Sequence, residues 1–431
     1  MKKIFRISFL LLTSLSLNIE AQIVNVNPNP NGEPWIAGDA IPASPEKDAT
    51  IPVMTLSPIS QQTPLPPAVD NSDTIWMPPV FNQGTTGACV QVAEIWYTFG
   101  YEINRLRNVQ AGDGNNIKSN LYHPFYTYNF LNGGNYQSTT IYKSGFDLIK
   151  ENGCPSYETF NDWALSQWYT TSCIYWMHGY EKYYAGMHNT ISGYEIVNWG
   201  NSYASLEPLK HWIADHNNGN QTGGLAIIAV LADGWNPYST FPLGSPEYGK
   251  HYISQWGTSG GHALTIVGYH DEVHCFDLDG DGQYTNEDRD GDGIIELTEC
   301  EKGAFKVVNS HNPQTFGDND YIYVPYKLMA AGLQVPNQAY YCLVKEGDES
   351  IITVRTNFEH PVRSRISFSV GYAQTANDPN PLGDIDDYKF ICFDRKGGSN
   401  SMRGAYSGPI EVEMNHSYSP EPDADGEGCI I

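Results

Sequence analysis

The chain has 431 residues and a formal net charge of −25, with a pI near 4.7. That length can hold two domains and bury a large core. The acidic balance argues against nucleic acid and anionic membranes as partners.

The first six residues, Met1-Lys2-Lys3-Ile4-Phe5-Arg6, are basic, and Ile7 to Leu17 is apolar apart from Ser and Thr. Residues 1–21 therefore read as a signal peptide cut between Ala21 and Gln22, its apolar stretch too short to span a bilayer. No other segment is long and apolar enough to be a membrane span. The protein is expected to be secreted, periplasmic or extracellular once the signal is removed, in a compartment where disulfides form. There are eight cysteines. Setting Cys89 aside leaves an odd number, so at least one other thiol stays free or bonds between chains. Cys154 with Cys173 and Cys275 with Cys300 are the favoured local pairings, which the sequence does not fix. Residues 22–72, rich in Pro, Asn and Ser, read as an extended linker or a short pro-segment.

The chemistry begins after residue 73. From Cys89 onward, Val92, Ile95, Trp96, Phe99, Ile103 and Leu106 draw one apolar stripe of an α-helix. Cys89 sits in its first turn, where unpaired N–H groups and the helix dipole favour a thiolate. Gly84 and Gly87 let the backbone approach a ligand, and the Gln83 side chain can donate to a developing oxyanion. A lone helical cysteine is more often a small core residue, so its partners decide the matter. Further on, Asn132-Gly133-Gly134 precedes a helical stretch, Gly145 to Gly153. Helix signals dominate to about residue 220. Strand signals follow at 224–230, 263–267, 305–308 and 321–324. His262 stands at the mouth of the second, after Gly260-Gly261, and Asn309 closes the third. The pattern predicts two lobes with a cleft between them.

Between those two strands lies an acidic insert, 271–301, with seven Asp and five Glu against Arg289 alone. Asp277, Asp279 and Asp281 with Gly282 repeat as Asp288, Asp290 and Asp292 with Gly293, the spacing of a calcium loop. Carbonyls of Gln283 and Ile294 would serve at the seventh position, and Asp288 and Glu299 at the twelfth. Such mutual repulsion calls for cations, so bound Ca2+ is expected rather than a merely solvated loop. Residues 350–431 alternate in polarity and read as a small antiparallel β domain without a catalytic cluster.

Taken in order, Gln83, Cys89, Gly133-Gly134, His262 in Gly-His-Ala-Leu-Thr-Ile-Val-Gly-Tyr, and Asn309-Ser310 resemble the papain-like cysteine peptidases. The resemblance covers roughly residues 73–345. It implies an α+β, papain-like two-lobed fold, with a helical lobe and a β-barrel-like lobe. It also implies a cysteine endopeptidase acting on protein or peptide substrates through an acyl-enzyme. By the same resemblance Cys89 is the nucleophile, His262 its general base and Asn309 the orienter of the imidazole. Gln83 and the Cys89 N–H form the oxyanion hole, and Gly133 and Gly134 pair with the substrate backbone. Departures stand at Thr86 and Leu131, where the family has a bonded cysteine pair, and at Val90, where it has an aromatic. His311 replaces a tryptophan that shields the Asn–His bond, which predicts a wetter and weaker bond. Three other functions share parts of this pattern: a non-catalytic peptide-binding homologue, a cysteine acyltransferase and a calcium-dependent adhesion protein.

Overall fold

The computed structural model describes residues 40–114, 117–160, 174–219, 221, 223–310, 317–346, 352–366, 369–370, 388–389, 397–404 and 411–418. The signal-peptide reading, residues 22–39 of the linker, His311, Cys173, Cys392 and Cys429 lie outside these residues.

Pro45–Asp48 forms a short helix, α1, capped by Ser44. The helix that begins at Cys89 organises the rest. Cys89–Gln91 (α2), a wider π-wound stretch Val92–Phe99, and Gly100–Arg107 (α3) run on without a break. Asn108 ends it in the left-handed conformation, its N–H returning to the carbonyls of Asn104 and Arg105. The predicted stripe is buried from Val92 to Ile103, whereas Leu106 is exposed. From Cys89 to Asn104 the helix is in fact buried on every side. The α-helices α4 (Phe125–Leu131), α5 (Ser144–Asn152), α6 (Tyr157–Phe160), α7 (Tyr180–Met187) and α8 (Glu207–Asp215) follow, with short 3-10 turns between elements.

The main sheet contains β1 (Ala68–Asp70), β2 (Asn189–Asn198), β3 (Ala226–Asp233), β4 (Ser239–Thr240) and β5 (His251–Tyr252). It also contains β6 (Ser259–His274), β7 (Lys302–Val308), β8 (Tyr321–Pro325) and β9 (Gln338–Glu346). Its order is β2-β9-β3-β6-β7-β8-β5-β4, with β1 added on β6. The path has two ends, so the expected β-barrel-like lobe is an open sheet. Strand β2 falls within the half of the chain whose sequence signals were helical.

Alternation along β3 shows how the sheet divides the core. Ile227 and Ala229 join the cluster around the Cys89 helix; Ala226, Ile228 and Val230 join the one beneath α8. The mixed α+β architecture thus has apolar layers on both faces of one sheet. At Gly268, where β6 bulges against β7, a Cβ would lie 2.2 Å from the Val69 carbonyl oxygen, so only glycine lets β1 cross there.

Near the C-terminus, β10 (Ile352–Phe358) pairs antiparallel with β13 (Val412–Tyr418), and β11 (Ser369–Val370) pairs with β12 (Tyr388–Lys389). Met402, Val412 and Met414 are buried in the same core cluster as the Cys89 helix.

Candidate active site

Three distant segments meet at the start of the long helix. The Cys89 thiol lies close enough to the backbone N–H of Ala263, the residue after His262, for that dipole to favour its thiolate. His262 Nε2 donates to Asn309 Oδ1 at 2.7 Å, bridging the start of β6 and the residue that follows β7. With Nε2 carrying that proton, Nδ1 is the basic nitrogen of the neutral ring. Asn309 Oδ1 also accepts from the Ser310 N–H at 2.8 Å, which fixes the amide's orientation.

The Gln83 loop is tied to the same strand end. Its backbone N–H donates to the Ser310 carbonyl at 2.9 Å, and Ser310 Oγ donates to Gln83 Oε1. One hydrogen of Gln83 Nε2 goes to the Thr86 carbonyl at 2.8 Å. An amide nitrogen has two, so a second N–H remains for an oxyanion. Gln83, Cys89, His262 and Asn309 are at most 1% exposed. Burial pushes the Cys89 thiol up to about 11, and the Ala263 N–H works against that rise. Position at a helix start does not offset such burial here; a protonated His262 is the charge suited to stabilise the thiolate.

Three supporting residues carried no motif. Tyr97, two turns along the helix, accepts from the Phe81 N–H at 2.9 Å and donates to the Asn309 carbonyl at 2.8 Å. It ties the Gln83 loop and the Asn309 backbone to the helix. Tyr142 donates to the His262 carbonyl at 2.9 Å. Trp235, in the loop after β3, stands edge-on to the imidazole of His262, with centroids 5.9 Å apart. Their signal in sequence is only that large aromatics are frequent; none is at a diagnostic interval.

Gly133 and Gly134 follow α4, both at positive φ. The Gly134 N–H donates to Asn132 Oδ1 at 2.8 Å, and its carbonyl accepts from Asn400 Nδ2 at 3.1 Å.

The acidic insert folds as two similar loops. In the first, Asp277 accepts from the N–H groups of Gly280 and Gly282, and Asp279 and Asp281 from those of Asp281 and Gln283. In the second, Asp288 accepts from Gly291 and Gly293, and Asp290 and Asp292 from Asp292 and Ile294. Asp288, Asp290 and Asp292 converge as one candidate cation group. The first group is Asp277, Asp279 and the buried Glu301, which sequence spacing had not singled out. Glu301 also accepts from Leu278 and Thr285 N–H groups and pairs with Arg289 at 2.8 Å. Glu299 instead accepts from the Arg289 and Glu296 N–H groups.

Cys154, Cys275 and Cys300 are free, buried thiols. The expected Cys275–Cys300 pairing is not made: Cys300 packs in the cluster beneath α8, and Cys275 in a smaller one with Phe241 and Tyr323.

No family model matches the chain, and no curated protein matches it by sequence. Solved structures similar to it include xylellain, a cysteine protease from Xylella fastidiosa, at 16% identity and a TM-score of 0.46, covering 73% of this chain and 98% of that one. ProCathepsin B S9 from Trypanosoma congolense is 11% identical at a TM-score of 0.44, over 71% and 87% of the two chains. The bromelain protease from Ananas comosus is 16% identical at 0.38, over 65% and 100%. At these scores, function is read from the side chains of the site.

Among the described residues no helix is long and apolar enough to cross a membrane.

Proposed function

We propose that this protein is a secreted, papain-like cysteine peptidase that hydrolyses peptide bonds through an acyl-enzyme. The observation that carries the reading is the 2.7 Å bond from His262 Nε2 to Asn309 Oδ1, with the Cys89 thiol near the backbone N–H that follows that histidine. In the first step His262 Nδ1 takes the thiol proton as Cys89 Sγ attacks the carbonyl carbon. The oxyanion is received by the second Gln83 N–H and the Cys89 backbone N–H. The C–N bond then breaks and His262 passes its proton to the leaving amine. Water, deprotonated by His262, attacks the thioester, and Cys89 leaves with the proton restored. Asn309 holds the ring in the tautomer these steps require. Gly133 and Gly134 mark the place where the resemblance puts the backbone of the bound peptide.

The insert is proposed to bind Ca2+. Two groups of carboxylates favour it, and the loops keep those oxygens turned together by their own N–H groups. Since β6 and β7 flank the insert, bound cations would steady the strands that carry His262 and Asn309.

A second reading is favoured by the complete burial of Cys89: a homologue that binds peptide without cutting it. Purified protein and its Cys89→Ala variant, each given a peptide library and a cysteine-directed epoxide, separate the two. Cleavage and labelling by the wild type alone support the peptidase. Peptide binding with neither cleavage nor labelling would replace it by the second reading.

A further inference from the structure

A turn from the C-terminal region lies directly on the Gly133–Gly134 backbone. Two glycine pairs face each other there. A Cβ on Gly134 would stand 2.4 Å from the Gly397 carbonyl oxygen, and one on Gly398 would stand 2.1 Å from that of Gly133. All four glycines have positive φ, so the approach depends on their lacking side chains. Asn400 Nδ2 then donates to the Gly134 carbonyl at 3.1 Å, while the Gly134 N–H is turned to Asn132. The two groups with which Gly134 could pair an extended peptide are both engaged within the chain.

The turn is firmly held. Arg363 is fully buried; its Nε donates to the Gly397 carbonyl and Nη1 to the Ile174 carbonyl, both at 2.7 Å. Its guanidinium lies over the Trp176 ring, 4.4 Å from the centroid. The Arg363 N–H donates to the Asn400 carbonyl at 2.8 Å. Met402, just beyond the turn, is buried in the main core. Lifting the turn would strip a buried guanidinium of one of its two carbonyl acceptors and uncover apolar surface, both costly. That makes it a fixed wall rather than a lid.

We propose that the turn Gly397–Asn400 takes the place of a peptide strand at Gly133–Gly134, restricting the enzyme to short peptides and chain ends on that side of the scissile bond. This rests on the peptidase reading above, in which that glycine pair meets substrate backbone. It narrows the expected endopeptidase to one that does not grip long extended segments.

The test uses the full chain and one peptide sequence lengthened stepwise, first on the amino side and then on the carboxyl side. Turnover is measured on the wild type and binding on the Cys89→Ala protein, each alone and with Gly398→Ala or Asn400→Ala added. Gly398→Ala drives a methyl group at Gly133 and must push the turn away; Asn400→Ala removes only the hydrogen bond. With the wall in place, added length brings no gain on one side. Gly398→Ala should then let longer peptides gain about tenfold in kcat/KM and in affinity, the worth of about one regained backbone hydrogen bond. The shortest peptides should be unchanged. Asn400→Ala should give a smaller gain in the same direction, and it serves if Gly398→Ala fails to fold. A wild type that gains with length on both sides, or folded variants as insensitive to length as the wild type, would overturn the wall. Length-dependent binding in the variants without turnover by any form would keep the wall and sink the peptidase reading. If no form binds peptide, both fall.

Discussion

The active-site region and the acidic insert gather their polar groups in opposite ways. Gln83 and Cys89, His262, and Asn309 come from three remote segments and are almost wholly buried. The insert draws its carboxylates from one stretch, 277–301, mostly exposed and folded by hydrogen bonds between near neighbours. The first arrangement exists only after the core has formed, because each member is placed by a different strand, loop or helix. The second needs little more than local turns and is limited by charge repulsion. Alterations in the two regions should therefore fail differently: at the site, activity lost with the fold kept; in the insert, stability changed with the chemistry kept.

The largest effect is expected at Cys89. Cys89→Ala should lower turnover by on the order of 10⁵-fold or more, since the covalent step is lost. The change removes only one sulfur from a packed helix start, so the melting temperature should move little. A variant that still cleaves would show that the nucleophile lies elsewhere.

Gln83 sharpens the contrast because it has two tasks. Gln83→Ala should cost on the order of 10²-fold in kcat through the oxyanion. It should also lower stability, because Ser310 Oγ loses its buried acceptor, Gln83 Oε1. Gln83→Glu keeps an acceptor for Ser310 and loses the amide donors. It should show the kcat loss with a smaller drop in melting temperature. Equal kcat in all three proteins would remove Gln83 from the mechanism.

How much of this was legible before the fold was known follows the same division. The Cys89 helix, the His262 and Asn309 strands and the calcium-loop spacing are short-range patterns; Cys89 opens its helix, His262 lies in β6 and Asn309 follows the last residue of β7. The supporting contacts are not. Tyr97 reaches Asn309 across 212 positions of sequence, a contact no local period encodes. Glu301 joins Asp277 because β7 begins where the insert folds back, outside the twelve-residue spacing that nominated Glu299 and Asp288. Strand β2 is hidden in the sequence because a Ser-Gly pair interrupts its alternation; its pairing with β9 bulges there, between Ile191 and Gly193. The open sheet was beyond reach for a related reason: closure depends on which strands end the path, and strand periodicity says nothing of order.

Calcium probes the insert's side of the comparison. If the cation binds the folded chain, saturation at about 100 times Kd should stabilise it by about 2.7 kcal/mol, seen as a higher melting temperature by calorimetry. Glu301→Gln should remove more of that gain than Asp281→Ala. Glu301 converges with Asp277 and Asp279, whereas the Asp281 carboxylate accepts from Gln283. Chelation should not be buffered by a covalent link, because Cys275 and Cys300 are not bonded. Equal melting temperatures in calcium, magnesium and chelator would make the insert a solvated loop.

The smallest effect expected is also the one that best separates positioning from chemistry. The Tyr97 hydroxyl links the Phe81 N–H to the Asn309 carbonyl and touches neither Cys89 nor His262. Tyr97→Phe keeps the ring in its buried place and removes that link. Two hydrogen bonds are lost where water has no entry, which should cost about 1–3 kcal/mol of stability. For the reaction, the Asn309 backbone gains freedom, so the imidazole is oriented less often for proton transfer. The loss should appear in kcat, at about tenfold or less, with KM nearly unchanged, because no group facing the peptide has moved. In a His262→Ala background, Tyr97→Phe should make no further difference to kcat, since an absent ring has no orientation to lose. If Tyr97→Phe raises KM instead, the tyrosine shapes the peptide site and not the Asn309–His262 pair.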